Sequence, residues 1–170
     1  MAKAKTKAAE RRIALRDEFW PERVRMWLGP DETGYFCAPR TLPLLLTLLS
    51  SKQISGKKDI GSVYVELLSR HMGEGIVEMG FEEDHAYSSG YYGTRATRTW
   101  RERMKVLEGT GLIKIQSKGF RKYAYVLLVH PTLVIDELRE EGKVSDEWWS
   151  IYQSRRIETK EPSAEELKAQ

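Results

Sequence analysis

Arg95, Arg98 and Arg101 recur every three residues, and Lys105 follows one turn later. Cations at that spacing line one side of a helix. There each guanidinium can donate two parallel hydrogen bonds, either to a phosphate or to the O6 and N7 edge of guanine. On a wheel of about 100° per residue, Ala96, Trp100, Met104 and Leu107 fall on the other side, so they read as the buried stripe. Arg103 sits at the edge of that stripe and reads as an ion-pair or packing residue. Thr94 and Thr97 carry hydroxyls that can cap the helix, or hold a phosphate together with the first backbone N–H groups. Lys118, Arg121 and Lys122 cluster around Gly119, which places three cations at a hairpin tip; lysines there also protect an exposed edge from pairing.

Charge is segregated along the 170 residues even though the net charge is only +3. Between Asp59 and Gly90, Arg70 stands alone against seven acids, whereas between Tyr91 and Tyr125 nine basic residues face only Glu102 and Glu108. The first 28 residues carry eight basic and four acidic side chains. A concentrated basic segment implies a polyanionic partner.

Other chemistries find little support. His71, His85 and His130 are far apart and none has the spacing of a zinc-binding helix. Glu82, Glu83, Asp84 and His85 are consecutive, so on a helix they point in different directions, and the acids suit a helix N-terminus. No phosphate-binding glycine loop and no nucleophile elbow is present. Cys37 is the single cysteine and cannot form an internal disulfide or a structural zinc site. The expectation is a non-enzymatic protein with no cofactor and no metal. The longest apolar run, Leu42 to Leu49, is interrupted by Pro43 and Thr47 and is far short of the roughly 18 residues of a membrane span. The basic N-terminus lacks an apolar core segment, so the reading is a cytoplasmic protein without a membrane partner.

The elements that must position these residues follow from periodicity and breakers. Residues 1–8 read as a basic, disordered tail. Residues 9–58 read as a helical extension: a helix to Leu28 with Trp20, Val24, Trp27 and Leu28 on one face, a second helix capped by Thr41, and a polar loop from Ser50 to Lys58. Within 59–130 the pattern predicts a helix (Asp59 to Met72), a short strand (Ile76 to Met79), a short helix (Glu82 to Ser89), and a long helix ending at Glu108. A strand from Leu112 to Gln116 and another from Arg121 to Val129 complete that region, the latter apolar on both faces at its end. Two helices within 131–157, the second capped by Ser145 and bearing Trp148, Trp149, Ile151 and Tyr152, suggest either packing onto the core or a dimer surface. Residues 158–170 read as a polar tail.

Helix, strand, helix, long helix, hairpin is the element order of a winged helix-turn-helix. The stretch from Arg95 to Gln116 resembles the recognition helix and first wing strand of bacterial winged-helix transcription regulators, through Trp100, Met104, Leu107, Glu108, Gly111, Leu112 and Ile113. The resemblance spans about Asp59 to Val129, and departs from those families at the glycine- and tyrosine-rich Tyr87–Gly93. It implies an α+β, mostly helical winged-helix fold with a small antiparallel wing and extra terminal helices. It further implies binding of double-stranded DNA by a homodimer, with Thr94, Arg95, Thr97, Arg98 and Arg101 near bases and Lys105, Lys118, Arg121 and Lys122 on phosphates. A plasmid replication or partition factor would share that fold, and a protein–protein adaptor could use it without DNA.

Overall fold

The computed structural model describes residues 6–21 and 33–169. The chain divides into two units, Met1–Tyr35 and Phe36–Gln170. In the first, α1 (Lys7–Phe19) starts two residues earlier than expected, because the Thr6 hydroxyl accepts from the Ala9 N–H and caps the helix. The helix buries none of its residues. The expected stripe through Val24, Trp27 and Leu28 lies outside the described residues.

The second unit contains α2 (Leu42–Leu49), α3 (Lys52–Ser55), α4 (Gly61–Arg70), β1 (Ile76–Glu78), α5 (Glu82–Ser88), α6 (Ala96–Gly109), β2 (Ile113–Lys118), β3 (Arg121–Leu128), α7 (Pro131–Glu140), α8 (Asp146–Thr159) and α9 (Ala164–Lys168). It is an α+β arrangement in which helices dominate and the sheet has three antiparallel strands in the order β1-β3-β2. The expected boundary at residue 58 is absent. Leu45, Leu48 and Leu49 of α2 are buried in the same core as Val63, Tyr64 and Leu67 of α4, Trp100, Met104 and Leu107 of α6, and Val126 of β3. At Gly61, α2 and α4 are closely packed: a Cβ there would stand 3.1 Å from Leu46 Cδ2. Burial pushes the Tyr64 hydroxyl up to about 12.

Several local expectations change for identifiable reasons. The Ser50–Lys58 loop contains a single helical turn, α3, which ends where Gly56 takes a left-handed φ of 64°. Thr41 does not cap α2 with its side chain. Its N–H (3.0 Å) and hydroxyl (2.6 Å) both donate to the Glu161 carboxylate, 120 residues away. The supposed polar tail is therefore folded. α8 extends to Thr159, the Arg156 guanidinium donates to the Glu161 carbonyl, and α9 begins with a reciprocal capping box between Ser163 and Glu166. Leu127 is exposed, so β3 is not covered on both faces at its end. Ser145 caps α8 as expected, accepting from the Trp148 N–H. Trp148 donates its indole N–H to the Leu44 carbonyl and the Thr47 hydroxyl and stacks on buried Tyr152, which attaches α8 to α2. His130 caps α7, its Nδ1 accepting from the Thr132 N–H, and burial holds its pKa below the usual histidine value against the opposing pull of Glu161.

Glu161→Ala is expected to lower stability by about 1–3 kcal/mol, because buried Thr41 loses the acceptor for both donors. Urea denaturation measures this, and a loss under about 0.5 kcal/mol would show that the C-terminal segment is a loose appendage.

Candidate nucleic-acid interface

The stripe of α6 is buried as its spacing dictates. Trp100, Met104 and Leu107 are all inaccessible to solvent, while Arg98, Arg101, Glu102 and Lys105 are exposed. The helix is held in place from two sides. Trp100 stacks on His85 of α5 (centroids 5.8 Å apart) and meets Tyr123 of β3 edge-on (5.1 Å). His85, itself buried, accepts from the Gly80 N–H at Nε2 (3.0 Å), so its proton sits on Nδ1 and is donated to Glu66 of α4 (3.0 Å). Glu66 also accepts from Arg70. One imidazole thus ties α4, the β1–α5 connection and α6 together. Its place after three acids gave no hint of this in the sequence.

Neither Thr94 nor Thr97 caps α6. The N-cap is Arg95, without a side-chain cap, and the Ala96 N–H donates to the Gly93 carbonyl (3.1 Å), so a backbone turn leads directly into the helix. Thr94 and Arg95 are exposed at that end and Thr97 is half-buried.

At the other side lies the hairpin. Lys118 pairs with Arg121 across its tip, and the register shifts between Gln116 and Lys118. Gly119 has a φ of 57° and Phe120 no positive φ, the signs of a type II′ turn, which accepts glycine at its first central position. Arg121 points back: its guanidinium donates to the Met79 and Gly80 carbonyls, pinning β3 to the β1–α5 connection. Its Nη2 is thereby engaged with the fold, while the residue as a whole stays exposed. Lys118 Nζ donates to the Tyr125 hydroxyl (3.2 Å), and Lys122 Nζ lies 5.4 Å over the Tyr123 ring. Both lysines remain exposed at the surface.

Between α6 and the hairpin runs an open groove of about 580 Å³, lined by Glu82, Arg98, Arg101, Glu102, Lys105, Phe120, Lys122 and Tyr123. Four of the expected site residues, Arg98, Arg101, Lys105 and Lys122, meet there. Lys118 and the N-terminal trio Thr94, Arg95 and Thr97 are not among its lining. Two cations carry local counter-charges. Arg98 pairs with Glu102 at 3.4 Å while its side chain stays 82% exposed. Arg101 pairs with Glu82, whose hydrogen bond and charge raise the guanidinium pKa further. Exposed pairs of this kind contribute about 0–1 kcal/mol, so either arginine can exchange its carboxylate for another anion at little cost. Phe120 and Tyr123 were missed by sequence reasoning as groove residues; a lone aromatic at a turn between lysines was the available signal for the first.

A wider groove of about 1000 Å³ is lined by Ser62, Glu66, Arg70, Met72 and Ser88, among others. Of its charged members, Asp59, Glu66 and Arg70, the last two are paired with each other. Among the described residues, no three His, Cys, Asp or Glu side chains are placed to hold a metal ion, and no helix is long and apolar enough to cross a membrane. No family model, no curated protein and no solved structure matches this chain.

Proposed function

We propose that this chain is a winged helix-turn-helix protein that binds double-stranded DNA, with α4, α5 and α6 as its three helices, β2 and β3 as its wing, and α6 as the recognition helix. The observation that carries the reading is the groove itself, where cations from α6 and from the wing converge beside a helix whose opposite face is anchored in the core. An α-helix fits the major groove, and its N-terminal residues reach base edges. Arg95 and Arg98 read bases, with Arg101 joining them when it leaves Glu82, and Lys105, Lys118 and Lys122 contact phosphates. The free N–H groups of the first turn, beside Thr94 and Thr97, donate to a phosphate.

A cytoplasmic bacterial transcription regulator is the role we favour, and a plasmid replication or partition factor would use the same surface. Dimerisation would double the half-site contacts, and exposed Ile151 and Ile157 on α8 offer apolar surface for it, whereas Trp148 is already engaged with α2. Mobility-shift titration with genomic DNA fragments tests the reading. Retarded complexes at low salt support it, and their absence would favour an adaptor that meets an acidic protein surface. Sequencing the fragments enriched by the protein then separates a promoter-proximal operator from repeats at a replication origin.

The wing makes a second expectation testable. Replacing Lys118 and Lys122 together with alanine should weaken binding to related and unrelated duplexes alike. It should also reduce the slope of log affinity against log salt by up to about 0.9 per lost contact. An unchanged slope would remove the wing from the interface.

A further inference from the structure

Among the described residues, Phe120 is the most exposed of the large hydrophobic side chains, at 110% of its reference area. Its position is fixed even though its ring is bare. It follows Gly119 in a two-residue turn, the flanking Lys118 and Arg121 are paired across the strands, and Arg121 is bound to the Met79 and Gly80 carbonyls. The ring forms part of the wall of the groove that holds Arg98, Arg101, Lys105 and Lys122. A phenyl ring on a tight turn beside four cations and two carboxylates suits a partner with anionic edges and flat apolar layers inside. Stacked base pairs between phosphate chains have that composition.

We infer that Phe120 is a wedge that enters an opened base step of the DNA and kinks it; this rests on the DNA-binding reading above. Apolar wedges unstack a base step, and the cost is smallest where stacking is already weak, at pyrimidine–purine steps or at a mismatch. Lys118 and Lys122 flank the ring by two residues on either side and would hold the phosphates as the ring inserts. The chain would therefore prefer deformable or damaged sites over stiff duplex, a selectivity that the α6 arginines alone do not supply.

The test compares two short duplexes of the same mixed sequence, one fully paired and one with a single central mismatch, titrated with the full chain. The parent is expected to bind the mismatched duplex about tenfold more tightly, because part of the unstacking cost has been met in advance. Phe120→Ala should bind both duplexes alike, and Phe120→Trp should keep the preference; being exposed, neither change threatens the fold. Equal affinity of the parent for the two duplexes, or a preference retained by Phe120→Ala, would overturn the wedge while leaving DNA binding intact. If the parent binds neither duplex, the DNA reading falls and the wedge with it. Vesicles of anionic phospholipid form the control arm: Phe120-dependent vesicle binding with no mismatch preference would reassign the ring to a membrane surface and overturn the inference.

Discussion

Trp100→Ala is expected to destabilise the protein by about 3–5 kcal/mol, the range for deleting a fully buried large aromatic. The indole is inaccessible to solvent and touches both His85 and Tyr123, so its loss opens a cavity where α5, α6 and β3 meet. One detail tempers the choice of replacement. The Trp100 indole N–H is buried without a hydrogen-bond partner. Phenylalanine removes that orphan donor while keeping much of the volume, so Trp100→Phe should lose clearly less than Trp100→Ala. Urea denaturation of the two variants checks this. Equal losses would mean that the indole N–H meets a water or that the site does not relax around the smaller ring.

Removing the Glu66 carboxylate is the second large effect. Glu66→Ala leaves His85 Nδ1–H without an acceptor inside the core and leaves Arg70 with only the Ser88 hydroxyl among the described residues. Breaking a buried charged contact typically costs about 3–5 kcal/mol. A value near about 3 kcal/mol is expected here, because Arg70 is partly exposed and recovers water. Glu66→Gln retains an acceptor oxygen for His85 and should restore part of the loss. A local readout accompanies the global one: the Gly80 amide donates to His85 Nε2, so its hydrogen exchange should accelerate in Glu66→Ala. Unchanged protection of that amide would show that His85 holds its orientation without Glu66.

What the sequence revealed and what it hid divide along contact range. The α6 stripe was legible because Ala96, Trp100, Met104 and Leu107 obey a local period that needs no partner to be recognised. The Ser145 cap and the Gly119 turn were legible for the same reason. The structural contacts of Arg121 were hidden: its acceptors lie 41 and 42 residues upstream and only folding brings them near. Thr41 looked like a helix cap because its partner, Glu161, is 120 residues distant. The C-terminal helix was missed for a different reason. Ser163 and Glu166 have capping-box spacing, and high local polarity outweighed that signal. The pairing of Glu82 with Arg101 was foreshadowed by the acidic run before the basic one, although which acid met which arginine depended on how α5 packs against α6.

Arg98 is the residue on which DNA reading by α6 turns. Among the described residues its one ion-pair partner is Glu102 on the same exposed face. The decisive measurement is the affinity of the parent and Arg98→Ala for an enriched genomic fragment and for an unrelated duplex, read by fluorescence anisotropy beside a thermal melt of each protein. Stability should be unchanged within about 0.5 kcal/mol. Binding to the enriched fragment should weaken by about 1–3 kcal/mol, with a smaller loss on the unrelated duplex. An equally stable Arg98→Ala protein that binds the enriched fragment as tightly as the parent would contradict the assignment of α6 as the helix that reads DNA.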